Sequence, residues 1–428
     1  MSRPNTTGDS AEHPHRRRVG GHGYFKRLGP GIVTGAADDD PSGIGTYSQA
    51  GAAFGYQLVW TTILALPFAV AVQEATARLG LYSGKGLAAL IKDHFRRWVL
   101  FVALALVVGA NTFNIGADLG SMAAATNLVV PVPQVVLLLV FGFGIAALEI
   151  AIPYHRYARI LRWLCLSLVS YLIVLLIVNV AWSDLASRLF VPHLGFERPQ
   201  IAALIAIFGT TISPYLFFWQ TAEEVEELND GGASGPPSRE QLVAMRGDVI
   251  AGMSSGVVAM FAIMVTAAAT LHAEGITTIG TADEAASALE PLAGRLAGLV
   301  FSLGIVGTGL LAVPVLAGST SYAIAETFGW REGLSLRLSQ ARAFYGVIVA
   351  SMVAGVAMNL LGLDPVRALY WSAILNGLAA PPLIVIIFLL ARRRNVLGEH
   401  ASGKLSQATV VAAAVLSTAL PILYLLAR

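Results

Sequence analysis

The chain has 428 residues, 56% of them hydrophobic and only 13% charged, with a mean hydropathy of +0.68. A soluble domain carries about 25% charged residues, so this chain lacks the polar surface to cover a water-soluble globule of its size. The composition specifies a polytopic membrane protein and excludes a disordered chain or a disulfide-stapled secreted module. A net charge of +2 gives no reason to expect a nucleic acid or other polyanion as partner. Cys165 is the only cysteine, and inside an apolar run it reads as a small buried hydrophobe.

In chain order, residues 1–23 form a polar tail with the run Arg16-Arg17-Arg18. They lack the apolar region of a signal peptide, and a disordered cytoplasmic tail is expected. The remainder, 24–428, reads as one transmembrane domain. Spans of roughly 20 apolar residues number about eleven, at 29–54, 57–78, 98–127, 133–152, 160–182, 200–227, 246–271, 291–326, 338–362, 365–391 and 407–427. With the N-terminus inside, inner loops hold Lys85, Lys92, Arg96 and Arg97, then Arg156, Arg159 and Arg162, then Arg331 and Arg337, then Arg392, Arg393, Arg394 and Lys404. Outer loops hold few cations, mainly Arg188, Arg198 and Arg367, so the N-terminus is expected inside and the C-terminus outside. Asn229 to Pro237, rich in Gly and Pro, reads as a flexible inner connector. The odd count matches two repeats of five spans, 29–182 and 200–391, with an extra helix at 407–427.

Two spans are interrupted at corresponding places. Span one carries Asp38-Asp39-Asp40-Pro41-Ser42-Gly43-Ile44-Gly45 between apolar flanks. Carboxylates at membrane depth cost about 2.5–3.5 kcal/mol each on insertion scales, so they must face water, a partner or an ion. Pro41, Gly43 and Gly45 weaken the helix and predict an unwound stretch with free carbonyls beside Asp40. Span six carries Gly209-Thr210-Thr211-Ile212-Ser213-Pro214-Tyr215. Interrupted helices at matching positions of two repeats point to a transporter's binding site.

These residues resemble the NRAMP divalent-metal transporters. Gly29-Pro30-Gly31, Asp40-Pro41-Ser42-Gly43 and Gln49-Ala50-Gly51-Ala52 resemble that family's first-span segment. Arg78-Leu79-Gly80-Leu81-Tyr82-Ser83-Gly84-Lys85 resembles the end of its second, and Ser213-Pro214-Tyr215 stands where its sixth span has Met-Pro-His. The resemblance implies an all-α, LeuT-type inverted repeat with helices one and six broken and a divalent ion held between the breaks. The family's metal-binding Asp falls on Asp40, its Asn ligand on Gly43, its Met on Ser213 and its carbonyl-donating Ala on Thr210. Only the carboxylate survives, which leaves an oxygen-donor site with Asp39 nearby. Such a site suits Mg²⁺ and Mn²⁺ over softer ions, and the smaller side chains suit an ion that keeps several waters. These departures resemble the NRAMP-related magnesium transporters.

The family's sixth-span histidines fall on Tyr215 and Gln220, neither of which titrates near neutral pH, and around Asn114 to Gly120 only Asp118 is acidic. Transport without proton coupling is therefore expected. Glu223, Glu224, Glu226 and Glu227 read as a solvated helix end, with an anionic vestibule formed by the four as the sharper alternative and Glu223 and Glu227 as its pathway residues. Asn376, in span ten, is either a ligand or an interhelical hydrogen-bonding group. Glu74, Glu149 and Glu326 read as structural, and Trp98, Trp182 and Trp330 as interfacial anchors. The histidines do not cluster, so no zinc site is proposed. The expected helix-breaking residues are Pro41, Gly45 and Pro214.

The sequence thus predicts a Mg²⁺ and Mn²⁺ transporter of a bacterial plasma membrane, with no cofactor, no nucleic-acid partner, and the bilayer and the metal ion as partners; it does not set the oligomeric state, and a monomer is compatible with it. Three rival readings rank lower. A proton-coupled Mn²⁺/Fe²⁺ transporter is opposed by Ser213 and Tyr215. A Na⁺-coupled symporter of organic solutes is opposed by Asp40, which would repel a substrate carboxylate. An intramembrane aspartyl protease needs two Asp from separate helices.

Overall fold

The computed structural model describes residues 29–152, 169–192, 195–230 and 237–427. The expectations for the tail, for Arg156, Arg159, Arg162, Cys165, His13, His15, His22, His155 and His193, and for most of the 229–237 connector lie outside them. The described residues hold helices and no strands. The first repeat comprises α1 (Pro30–Asp38), α2 (Pro41–Phe54), α3 (Thr61–Ser83), α4 (Leu87–His94), α5 (Arg97–Asn127), α6 (Gln134–Ala151), α7 (Val169–Ile177) and α8 (Trp182–Phe190). The second comprises α9 (Arg198–Thr211), α10 (Pro214–Asp230), α11 (Arg239–Ala267), α12 (Ala297–Phe328), α13 (Arg342–Leu360) and α14 (Pro365–Ala391), with α15 (Lys404–Leu426) appended.

Among the described residues nine helical stretches are long and apolar enough to cross a bilayer. Span one is divided into α1 and α2, each too short alone, and only the second half of span five is described, as α7. The burial of the spans sorts them. The α9–α10 span is 94% buried in its most apolar window, whereas α6 and α15 are 28% buried. The broken helix is therefore the centre of the bundle, and α6 and α15 turn apolar side chains such as Phe143, Val415 and Leu425 outward, as lipid-facing helices do.

The glycines of the sequence segments mark helix crossings. A Cβ on Gly35 would stand inside the Gly252 backbone, and one on Gly252 inside the Gly31 carbonyl. Gly31 and Gly35 on α1 thus face Gly252 and Gly256 on α11, a small-residue pair every four positions on both helices that lets the backbones touch. Gly80 gives the same close approach between α3 and the Thr221 carbonyl of α10, and Gly51 between α2 and the Met264 carbonyl of α11. Gln49 clasps the connection after α11 through Thr277 (3.1 Å, to its carbonyl) and Ile279 (2.9 Å, from its amide).

The breaks are shorter than expected. Only Asp39 and Asp40 leave the helix in span one, and only Ile212 and Ser213 in span six. Pro41 and Pro214 do not interrupt a helix: each begins the second one, where its missing amide hydrogen is not needed and its fixed φ is already helical. Gly43 and Gly45 are helical residues of α2. Gly45 is therefore not part of the break. A Cβ there would lie 3.0 Å from Leu369 Cδ1, so glycine is required by packing against α14.

Candidate metal-ion site

The two breaks face each other. Each leaves a helix C-terminus (α1, α9), with its last four carbonyls lacking intrahelical partners, opposite a helix N-terminus (α2, α10). The C-termini present negative partial charge to a cation, and Asp40 adds a full one. Asp40 is the N-cap of α2, fully buried, with its Oδ1 accepting from Gly43 N (2.7 Å) and Ser42 Oγ (2.7 Å). Its Oδ2 accepts from Asn114 Nδ2 on α5 (2.9 Å). The Ser42 amide is also turned toward this carboxylate, so the local backbone and Asn114 fix its orientation.

Of the residues expected at the site, Gly43, Thr210 and Ser213 come together with Asp40. Ser42 Oγ lies 3.4 Å from Thr210 Oγ1, and a Cβ on Gly43 would lie 3.4 Å from the same hydroxyl. Ser213 Oγ donates to the Thr210 carbonyl (2.7 Å) and the Gly209 carbonyl (3.1 Å), so it caps the end of α9. Asn376 lies on α14, which packs on α9 where Gly209 meets Ala373 and Gly377. It is fully buried, and neither its Oδ1 nor its Nδ2 has a hydrogen-bond partner among the described residues. Asp118 on α5 is fully buried beside Asp40, with no hydrogen bond of ordinary geometry, the Ser42 amide being turned toward it. Asp39 does not join. Its Oδ1 faces Gly256 on α11 instead. Sulfur is not wholly absent from the surroundings, since Met260 Sδ is 3.8 Å from Thr211 Oγ1, but Thr211 points to Tyr47 (2.9 Å) rather than to Asp40.

Asn114 escaped the sequence reading as a ligand-positioning group. Its only signal is an amide at membrane depth in the stretch where span three keeps Asp118.

The face where α1 begins is shut. Asp248 of α11 accepts from the Gly31 amide (2.5 Å), with the Ile32 amide also turned to it. Thr34 Oγ1 donates to Gln220 Oε1 (2.6 Å), Gln73 Nε2 donates to the same oxygen (3.3 Å), and Gln220 Nε2 donates to Glu224 Oε1 (2.9 Å). Tyr215 donates its hydroxyl hydrogen to the Ala37 carbonyl (2.8 Å), tying the start of α10 to the end of α1. Glu74 pairs with Arg78 and with Arg246 (2.8 Å), and Glu326 accepts from the Ala89 amide (2.9 Å), which bears out their structural reading. Glu223, Glu224 and Glu226 are buried and only Glu227 is exposed. The solvated helix end is thus corrected: with α1 docked, α10 is covered by α3 and α12, and Glu226 is taken up by Tyr322 (2.5 Å) and the Leu334 amide (2.7 Å).

The opposite face is open. A cavity of about 490 Å³ is lined by Gly45 and Ser48 of α2, Ala203 of α9, Thr277 and Ile279 of the connection after α11, and Leu369 of α14. Ile44, about one turn of α2 beyond Asp40, also lines it.

Comparisons with known proteins agree with this geometry. The family described as natural resistance-associated macrophage protein-like, Nramp, matches residues 31–427. A divalent metal cation transporter, MntH, of Klebsiella pneumoniae strain 342 is 29% identical over 386 residues, 87% of each chain. The Eremococcus coleocola manganese transporter in complex with an aromatic bis-isothiourea compound superposes with a TM-score of 0.72 at 18% identity, covering 94% of this chain and 87% of that one. MhsT in complex with L-phenylalanine superposes at 0.66 and 15% identity, covering 94% and 98%, so the fold is the LeuT-type inverted repeat. With breaks, site and match all running the length of the transmembrane domain, the chain belongs to the Nramp family of multi-pass membrane transporters and is not an enzyme.

Proposed function

We propose that the protein carries divalent metal ions, Mg²⁺ foremost and Mn²⁺ second, into the cell as partly hydrated ions and without proton coupling. The observation that carries this reading is the donor set around Asp40: its buried carboxylate with Asp118 beside it, the hydroxyls of Ser42, Thr210 and Ser213, and the amide of Asn114, with no imidazole or thiolate among the described residues. Oxygen donors suit hard ions, and Mg²⁺ characteristically keeps several waters while one or two carboxylates hold it. The relatives' names support divalent metal as the cargo class. The face where α1 begins is the inner face in this reading, and α1 is the inner gate. A divalent ion is drawn inward by about 4.6 kcal/mol per 100 mV, twice the single-charge value, so uptake needs no second driving ion. Tyr215 and Gln220 serve as latch groups between α1 and α10 rather than as proton carriers.

Asp118 favours a second reading, proton-coupled Mn²⁺ transport, because it is a buried acid beside Asp40. One experiment separates the two. Proteoliposomes loaded with metal and pH dyes should show Mg²⁺ uptake without acidification, abolished in Asp40→Ala. Mn²⁺ uptake with acidification and no Mg²⁺ signal would establish the second reading instead.

A further inference from the structure

The Asp40 site leaves two carboxylates of the same break unused. Asp38 and Asp39 are 2% and 6% exposed, and each has an Oδ1 with no hydrogen-bond partner among the described residues. Neither forms an ion pair with any described Lys, Arg or His. Both stand at the C-terminus of α1, the negative end of the helix. Two buried carboxyl groups at that end, with no donor or counter-charge among the described residues, must be neutralised, by protons or by a cation.

The geometry supplies a place for one. Gly256 of α11 has no side chain, and the position its Cβ would take is bordered by three oxygens as its nearest atoms. They are Asp38 Oδ2 at 3.4 Å, the Gly35 carbonyl at 3.6 Å and Asp39 Oδ1 at 3.7 Å. The Gly35 carbonyl is one of the last four of α1, which a helix leaves without intrahelical partners. It is a third donor independent of the two acids. Rotation of the two carboxylates, with the ion displaced from that point toward the Gly35 carbonyl, brings the three oxygens toward the 2.0–2.6 Å range of hard divalent ions. The point lies between α1 and α11, whereas Asp40 faces α5 and α9, so the two groups of donors serve different ions.

We infer that Asp38, Asp39 and the Gly35 carbonyl form a second divalent-cation subsite against Gly256, separate from the Asp40 site. Its two carboxylates match the charge of one divalent ion. It lies on the same α1–α11 seam whose lower end is latched by Asp248, so an ion there neutralises the two acids that the docked gate helix buries against α11.

The test is Mn²⁺ binding to the purified full-length protein, counted by electron paramagnetic resonance of free Mn²⁺ and by calorimetry. Wild type should bind two Mn²⁺ per chain. Gly256→Ala places a methyl group on the ion's position at ordinary contact distance from every neighbour and should bind one. Asp38→Asn and Asp39→Asn should also bind one, and Asp40→Asn should lose the other ion and keep this one. Should Gly256→Ala fail to fold, the isosteric Asp39→Asn decides. One Mn²⁺ per chain in wild type, unchanged in Gly256→Ala and Asp39→Asn, would overturn the inference and leave both acids neutralised by protons. Two ions with Asp40→Asn unaltered would instead overturn the Asp40 reading and leave this one standing.

Discussion

The gate latch gives a prediction whose size follows from the structure. Helix α1 starts at Pro30, and its own N-cap, Gly29, supplies no side-chain acceptor. The first-turn amide of Gly31 is served across the bundle by Asp248, toward which the Ile32 amide is also turned, so one helix is capped by another. The contact exists only while α1 is docked on α11. Swung open, those amides reach water; docked without Asp248, they have no acceptor. Asp248→Ala therefore destabilises the closed state by the value of a hydrogen bond to a charged group, about 2 kcal/mol, or about 30-fold in the gate equilibrium. Asn caps a helix nearly as well as Asp, so Asp248→Asn loses only the charge–dipole part, about 0.3–1 kcal/mol, about two- to fivefold. The assay is alkylation of Ala37→Cys, a fully buried position at the end of α1, in a Cys165→Ser background with an impermeant thiol reagent on the inner face. Labelling should speed up about 30-fold in Asp248→Ala and severalfold in Asp248→Asn, by the same conversion. Equal rates in the two variants, or no change in either, would refute trans-capping as the latch.

Three further outcomes follow from other parts of the molecule. Burial, with the Glu326 and Glu226 carboxylates nearby, pushes the Glu332 carboxyl in the loop after α12 up to about 9 from an ordinary 4.5. The folded state therefore holds a proton that the unfolded chain releases, and stability falls as pH rises from 4.5 to 9. Glu332→Gln should raise the melting temperature at pH 8, by a margin that shrinks on acidification and vanishes below pH 4.5; a constant margin would contradict it. Gly35→Ala drives a methyl into the Gly252 backbone, so it should abolish closure of α1 on α11, read as high Ala37→Cys labelling, or prevent folding, whereas Gly109→Ala, in open space, should change neither. Gly43→Asn with Ser213→Met restores a soft donor and fills the site. It should lower Mg²⁺ uptake at least tenfold while sparing Mn²⁺, and equal losses for both would show that these positions do not set selectivity.

The breaks were legible because they rest on local chemistry. A proline preceded by acids or small polar residues within an apolar run announces a helix restart from the sequence alone. The same logic erred by a few residues, placing Gly43 and Gly45 in the unwound stretch, because proline's effect was assigned to the residues after it rather than those before. Glycine at 45 answers to Leu369 on a helix more than 300 residues away, which no local pattern reports. The acids at 223–226 misled for a related reason: a charge run reads as solvated until a neighbouring helix covers it. The groups that escaped, Asn114 on Asp40 and Asp248 on Gly31, act across 74 and 217 residues, and their types are common enough that only the fold singles them out.

The state of the donors bears on how an ion is taken up. The polar groups of the two breaks are already engaged: Asp40 holds three donors, Ser213 caps the Thr210 carbonyl, and Tyr215 caps the Ala37 carbonyl. Unsatisfied groups lie instead on neighbouring helices, Asn376 on α14 and Asp118 on α5. A buried polar group without a partner costs about 1–3 kcal/mol, and an ion between them and Asp40 would remove that cost at both. The cavity reaches α14 at Leu369, two turns before Asn376. Movement of α14 toward α9 would close the cavity and bring Asn376 to the ion in one step. Asn376→Ala should therefore weaken metal binding and also leave the outer cavity open in the presence of metal, measurable as continued alkylation of Ser48→Cys, in the same Cys165→Ser background, from the outer face. A variant that binds more weakly yet protects Ser48→Cys normally would separate the ligand role from closure and defeat the argument that one residue performs both.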